Sequence, residues 1–259
     1  MSSDPLGDRM RAFERACDPV ALPDTWLLVR LDGRGFTRLT KEQHDFDKPF
    51  DLRFRAMMIE TAGALMQDSG VGATMALTHS DEITLMLPPE SQVFGRRLGK
   101  LGSVMAGAAS ATFSLALGAP GTFDARVSQL PTIAHVLDYI DWRQSDAHRN
   151  ALSSHCYWAL RREGQTARQA TATLEGASVA DKNELLFQRG INVDQLPSWQ
   201  KRGVALVWSQ VVIEGTDPRT GETVETTRRR LTTKLELPYG AQMREWAVTQ
   251  LRPESDDAR

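Results

Sequence analysis

Apolar and polar positions follow two different periods along this chain, and the change of period marks its elements. Residues 5–17 place Leu6, Met10 and Phe13 at helical spacing, which predicts a short amphipathic helix. Pro19 and Pro23 then break the chain. Residues 26–31 read WLLVRL and run straight into Asp32-Gly33-Arg34-Gly35-Phe36. An apolar run of this length, closed by a turn signal, predicts a buried strand. A polar loop, TRLTKEQHDFDKP, comes next. Pro49 and Asp51 suit the first turn of a helix reaching to about residue 69, with Phe54, Met57, Met58, Ala62 and Leu65 at helical spacing. Gly70 and Gly72 end it, and ATMALTHSDEITLML reads as two short strands around the polar tetrad His79-Ser80-Asp81-Glu82. Pro88-Pro89 stop the second strand. A helix over residues 91–117 follows, basic at its start (FGRRLGK) and rich in small residues later (AGAASATF), and FDARVSQL reads as a further strand.

Strand, helix, strand, strand, helix, strand is the split βαβ order, and it predicts an α+β, ferredoxin-like βαββαβ fold. The expectation is an antiparallel sheet of four strands with two helices on one face, the first strand lying beside the one entered after the first helix. Residues 131–163 are helical in pattern, as are residues 166–174. EGASVADKNELLFQRGIN reads as a loop carrying a charged cluster. GVALVWSQVVIEG and RRRLTTKLEL read as a β-hairpin joined by the polar turn TDPRTGE, and the tail from Pro253 reads as disordered. The expected division is residues 1–130 as the catalytic part, 131–240 as the C-terminal part of the same unit, and 241–259 as a tail.

Composition narrows the function classes. The 259 residues are 41% hydrophobic and 25% charged, as in an ordinary soluble protein. No apolar run approaches bilayer length and the start carries no apolar signal core, so a cytoplasmic location is expected and no membrane role. Cys17 and Cys156 are far apart and have no zinc spacing. With a net charge of −2, any nucleic-acid contact must come from local patches.

The candidate chemistry centres on Asp32 and Asp81. Each stands at the end of a predicted strand, and carboxylates on neighbouring rigid elements can bridge two divalent cations roughly 4 Å apart. Oxygen donors of this kind suit magnesium, and the Gly33 carbonyl could add a neutral oxygen. This is the logic of polymerase and nucleotidyl-cyclase palms; an ordinary strand ending in an Asp-Gly turn is the plainer alternative. Arg97 and Lys100, beside Arg96 at a predicted helix start, share a face and could grip a triphosphate, or could simply form a solvated face. Lys48 and Lys182 are further candidates for that grip. Arg228, Arg229 and Arg230 are read either as an RNA-backbone contact or as a charged strand edge. A Rossmann dehydrogenase is excluded, because Gly33-Arg34-Gly35 lacks the third glycine and the helix in register.

RLDGRGF, FDKP, HSDEITLML, FGRRLGK, FDARV, DWRQSDAHRN, the tryptophan of CYWAL and DKNELLF resemble, in order and spacing, the motifs of the tRNA(His) guanylyltransferase family over residues 6–237. The resemblance implies a polymerase-type palm that extends nucleic acid in the reverse, 3′-to-5′ direction. A nucleoside triphosphate activates a tRNA 5′-monophosphate, and the 3′-hydroxyl of an incoming nucleotide attacks the activated end. It implies two Mg2+ ions at Asp32, the Gly33 carbonyl and Asp81. It implies ATP, GTP or other nucleoside triphosphates held by Arg30, Asp32, Gly33, Arg34, Gly35, Phe36, Thr37, Ser80, Asp81, Arg97, Lys100, Lys182 and Asn183. Lys48, Ser80 and His148 are implied in catalysis with the two carboxylates. The tRNA 5′ end and acceptor stem would be the partner of a homotetramer or homodimer. Where the eukaryotic enzymes carry HINNLYN, this chain has HRNALSS: His148, Asn150 and Leu152 remain, whereas Ala151, Ser153 and Ser154 differ. It is therefore most similar to the bacterial and archaeal guanylyltransferase-like proteins, which favour template-dependent repair of tRNA 5′ ends. His44, His79, His135 and His155 are expected in surface or core roles. A palm-fold nucleotidyl cyclase and a non-catalytic RNA-binding module are the rival functions.

Overall fold

The computed structural model describes residues 4–216, 219 and 223–252. Its strands are β1 (Trp26–Arg34), β2 (Met75–His79), β3 (Glu82–Leu87), β4 (Thr122–Leu130), β5 (Val204–Thr216) and β6 (Thr223–Lys234). They form one sheet in the order β4-β1-β3-β2-β5-β6, with every neighbouring pair antiparallel. The first four strands keep the expected split order. The strand beside β1 is β3 rather than β2, which corrects the expected pairing: the second arm of the hairpin folds back into the gap that the crossover leaves.

β1 reads as an unbroken apolar run because both faces of the sheet are covered at its start. Leu27, Val29 and Leu31 face one layer with Ile83, Leu85 and Leu87. That layer is packed by α3 (Leu52–Gln67) and α4 (Leu98–Leu117). Trp26 and Leu28 face the other layer, with Met75, Met86, Ala205 and Val207, under α5 (Ile133–Arg162) and α9 (Ala241–Leu251). Helices thus cover both faces rather than one. α9 occupies part of the stretch assigned to the tail; Met243, Ala247 and Leu251 recur every fourth residue and are fully buried. No helix among the described residues is long and apolar enough to cross a membrane.

Several boundaries differ from expectation for identifiable reasons. α1 (Pro5–Ala16) forms as predicted but buries no residue. The loop after Phe36 is partly helical, as α2 (Phe36–Arg38) continuing into a π-helical turn at Leu39–Gln43. α4 starts at Leu98, not near residue 91, because Phe94, Gly95 and Arg96 all have positive φ. Arg96 is buried, and its guanidinium donates to the carbonyls of Pro89, Ser91, Leu22 and Thr25, so it is a structural clamp. The DKNE segment is not a loop: it lies on α7 (Val179–Phe187), which opens on a reciprocal capping box between Ser178 and Asp181. α6 (Ala167–Leu174) opens on the same device, Thr166 with Gln169, and α8 (Ser198–Arg202) leads into β5. The β5–β6 hairpin forms as expected, with most of its TDPRTGE turn and the tail from Pro253 outside the described residues.

Candidate active site

Asp32 lies on the face of β1 that holds Trp26 and Leu28, but beyond the reach of the α5 core. Cross-strand register sets four polar residues in one row over that open end: Asp124 on β4, Asp32 on β1, Glu82 on β3 and His79 on β2. Asp81 sits in the two-residue turn between β2 and β3. That turn closes because Ser80 takes a left-handed conformation, φ 52°. The Gly33 N–H donates to the Asp81 carbonyl at 3.0 Å, so β1 and the turn are tied at the point where the two carboxylates meet. Burial and the neighbouring charge of Asp32 both push the Asp81 carboxyl above its ordinary range, while the Ser80 hydroxyl opposes this by donating to it. Neither Asp32 nor Asp81 forms an ion pair among the described residues. Two neighbouring carboxylates with no ion-pair partner among the described residues, beside backbone oxygen, are oxygen donors of the kind a hard divalent ion takes.

Two cavities share this floor. The larger, about 540 Å³, is polar; it holds Arg30, Asp32, Asp81, Glu82, Arg143 and Arg202 among its walls. Its charges are mostly matched. Arg143 on α5 meets Glu82 through two bonds of 2.8 and 2.7 Å and Asp146 at 2.9 Å, with the Arg30 Nε 3.8 Å from Glu82. Burial raises the Glu82 carboxyl, and Arg143 and Arg30 pull it back. The smaller cavity, about 220 Å³, is lined by aromatic rings, including Phe36, Phe46, Trp158 and Trp199, together with Thr37 and Lys48. Ser80, Asp81, His79 and Phe50 line both.

The walls are held from outside. The His79 Nε2–H donates to the Gln200 carbonyl at 3.2 Å, and burial lowers the imidazole to about 4, so it is neutral near pH 7. His155 Nε2 is 3.0 Å from the Gln200 side-chain oxygen, and Phe50 packs on both imidazoles. His155 is a buried core residue, His79 is a half-buried wall of both cavities rather than a surface or core residue, and His135 pairs with its own helix cap, Thr132. Lys48 Nζ donates to the carbonyls of Thr40 and Phe46, and burial lowers its pKa. Its loop is fixed by Asp51, whose carboxylate accepts from the N–H groups of Asp47, Arg53 and Phe54 and from the Arg53 guanidinium; these bonds hold it at about 2.

Not every expected residue gathers here. Gly33 needs no side chain for an internal reason: a Cβ there would sit 2.5 Å from the Phe36 ring. Gly35 caps α2 at φ 76° and Arg34 is exposed. His148 is half-buried behind the cleft wall, its pKa lowered by burial and by Lys201 and Arg202. Lys182 reaches the wall only through Ser153, at 3.2 Å, and Asn183 bonds back to Val179 in its own helix. Arg97 and Lys100 lie at the other end of the sheet. Arg97 pairs with Asp18 and forms a bridge with Val20, just ahead of β1, whereas Asp32 is six residues along that strand from Trp26, roughly 20 Å away. Glu82 and Arg143, central in the cleft, were present in the quoted motifs without a role; their pairing across 61 residues has no local signal.

The family model described as tRNAHis guanylyltransferase matches residues 7–131, and the Thg1 C terminal domain matches residues 134–242. The tRNA(His) guanylyltransferase of Debaryomyces hansenii is 37% identical over 211 residues, covering 76% of this chain and 78% of that protein. A probable tRNA(His) guanylyltransferase of Drosophila melanogaster is 36% identical over 79% of this chain and 73% of its own. A bacterial tRNA(His) guanylyltransferase-like protein solved in complex with ATP superposes with a TM-score of 0.76 at 27% identity, covering 96% of this chain and all (100%) of that one. The chain belongs to the tRNA(His) guanylyltransferase family of nucleotidyltransferases.

Proposed function

We propose that this protein is a 3′-to-5′ nucleotidyltransferase with a polymerase-type palm, adding nucleotides to the 5′ end of tRNA in template-dependent repair. The observation that carries the reading is the pair Asp32–Asp81, close enough to feel each other's charge and without an ion-pair partner among the described residues, with both in the polar cleft and Asp81 also lining the aromatic cavity. Asp32, the Gly33 carbonyl and Asp81 would hold two Mg2+ ions, which when bound activate an attacking oxygen and stabilise a leaving phosphate. The smaller cavity suits the base of ATP or GTP, stacked among its rings, with the triphosphate directed to the carboxylates; the bacterial relatives solved with ATP and with GTP support this. The tRNA 5′ end would enter across the open cleft. Its 5′-phosphate oxygen attacks the α-phosphate and pyrophosphate leaves. The 3′-hydroxyl of the incoming nucleotide then attacks the activated 5′ phosphorus and releases the nucleoside monophosphate.

Arg30 and Ser80 stand at the floor of this site, and His148 and Lys182 act from behind the wall. Because Arg97 and Lys100 lie far from the carboxylates of their own chain, their part in triphosphate binding fits a homodimer or homotetramer that pools basic surfaces between copies. A cytoplasmic location fits the substrate. The test uses a 5′-monophosphorylated tRNA lacking its first nucleotide, with Mg2+, ATP and each labelled triphosphate in turn. Addition of only the nucleotide complementary to the opposing base, lost in Asp32→Asn and in Asp81→Asn, is expected. Guanosine added whatever the template would instead make the activity guanosine-specific. A cyclic nucleotide formed without RNA would establish the cyclase.

A further inference from the structure

The matched charges of the polar cleft contrast with a second cluster of cations. Lys41, Lys48 and Arg55 line the aromatic cavity, Arg161 and Arg162 stand beside it at the end of α5, and none of the five forms an ion pair among the described residues. Lys41 lies 4.9 Å from the centre of the Tyr157 ring, and Arg161 stacks over Tyr157 and Trp158 at 5.8 and 6.0 Å. Lys48 is 6.0 Å from Trp158, and Arg55 is 4.6 Å from Trp199. Arg162 donates to the Lys48 carbonyl across 114 residues, which holds the end of α5 against the Lys48 loop. Two donors here, Arg55 Nε and Arg161 Nε, are buried with no acceptor. Asp45, Asp51 and Asp47 act on Lys48, and Asp47 and Asp51 line the same cavity, but none reaches ion-pair distance of these five cations; Asp51 pairs with Arg53 instead.

Cations in the last turn of a helix ordinarily serve its dipole. Arg161 instead turns back over its aromatic neighbours and Arg162 reaches another segment, so the dipole does not account for them. Like charges crowded with no carboxylate at ion-pair distance repel, and an added anion relieves that repulsion. We propose that this cation–aromatic surface at the C-terminal end of α5 binds the phosphodiester backbone of the RNA substrate. α5 walls both cavities, and from Asn150 in the cleft to Arg162 it runs about 18 Å at about 1.5 Å per residue. An RNA whose 5′ end occupies the floor therefore passes along this helix. A nucleotide triphosphate would be held at the carboxylates, and Arg161 and Arg162 stand outside the cavity that fits its base.

This inference rests on the reading of tRNA as substrate. Its test measures binding of fluorescein-labelled, 5′-monophosphorylated tRNA by anisotropy, without nucleoside triphosphate, over a series of KCl concentrations. Arg162→Glu, an exposed position, and Arg161→Lys/Arg162→Gln are compared with the full chain. Arg162→Glu is expected to weaken binding roughly tenfold near 0.1 M salt and to lower the salt slope by about 1, with the KM for triphosphate unchanged at saturating tRNA. Arg161→Lys/Arg162→Gln, which keeps a cation on the rings, should fall between it and the wild type. Unchanged tRNA affinity and slope in Arg162→Glu, while the wild type extends tRNA and Asp32→Asn does not, would overturn this inference alone. A raised triphosphate KM with unchanged tRNA binding would reassign the surface to the triphosphate and overturn it equally. A wild type that neither binds nor extends tRNA would remove the substrate reading itself.

Discussion

Gly33→Ala tests the coupling between core and site most directly. The added Cβ would lie 2.5, 2.6 and 2.8 Å from three atoms of the Phe36 ring. Phe36 cannot retreat: it is 2% exposed, with Phe113 and Phe123 at 4.9 and 5.0 Å and Phe54 at 6.1 Å between ring centres. Overpacking of this kind costs about 1–3 kcal/mol. In a chain of this size that lowers the melting temperature by roughly 2–6 °C. The strain falls on the strand end whose N–H binds the Asp81 carbonyl at 3.0 Å, so relief by backbone movement separates the two carboxylates. A displacement near 1 Å can cost on the order of 100-fold in rate. Calorimetry and 5′ addition on tRNA measure the two effects separately. Phe36→Leu should relieve the clash, so Gly33→Ala/Phe36→Leu is expected to be more stable than the sum of its single changes. If Gly33→Ala melts and adds nucleotides like the wild type, the close packing of Phe36 is not what reserves this position for glycine.

Three further outcomes are expected. Asp51, held at about 2 against an ordinary 3.8, stabilises the fold above the ordinary value and loses that contribution as pH falls through about 2. Asp51→Asn should therefore be less stable by about 2 kcal/mol near pH 6, the gap to the wild type closing between about pH 4 and 2 in acid-unfolding curves. Arg143→Ala leaves the Glu82 carboxylate without its two-bond partner and should cost about 2–3 kcal/mol; Glu82→Gln in the same chain should recover part of it in a denaturant double-mutant cycle. Ser178→Ala removes one half of the α7 capping box and should cost about 1 kcal/mol by urea unfolding.

How far the chain could be read from its sequence depends on the range of each signal. β1, β2, β3 and β4 follow from local apolar runs and turn residues, but which strand lies beside β1 does not: β3, not β2, is its neighbour, and β5 and β6 extend the expected four strands to six. Asp32 and Asp81 stand at ends of those runs, and the Gly33 N–H bond to the Asp81 carbonyl joins those ends although the expected neighbour was the wrong one. The start of α4 was hidden because Arg96 counts as a surface cation by type, yet its guanidinium is consumed by carbonyls up to 74 residues away. α7 was readable: Ser178 with Asp181 three residues on is a helix start, obscured by the glycine before it and by its charge. α9 was readable too, from Met243, Ala247 and Leu251, but it stands next to a charged terminus. The distance of Arg97 and Lys100 from the carboxylates follows from the strand order: β3 runs from Glu82 beside Asp32 to Leu87 beside Leu27, so the helix after it starts at the far end of the sheet.

The second face of the sheet explains why core and chemistry adjoin. Trp26 and Leu28 are covered by α5, while Arg30 and Asp32, two and four residues further along the same face, are not. An apolar pair there would have extended the core under the helix. A cation and a carboxylate instead keep the helix off the strand and leave a cleft whose walls are the strand end and the helix flank. Arg143 spans that gap to Glu82 and fixes its width. The site is thus held open by charge at one end of a strand whose other end is held shut by Trp26 and Leu28, and a change to either end should be felt at both.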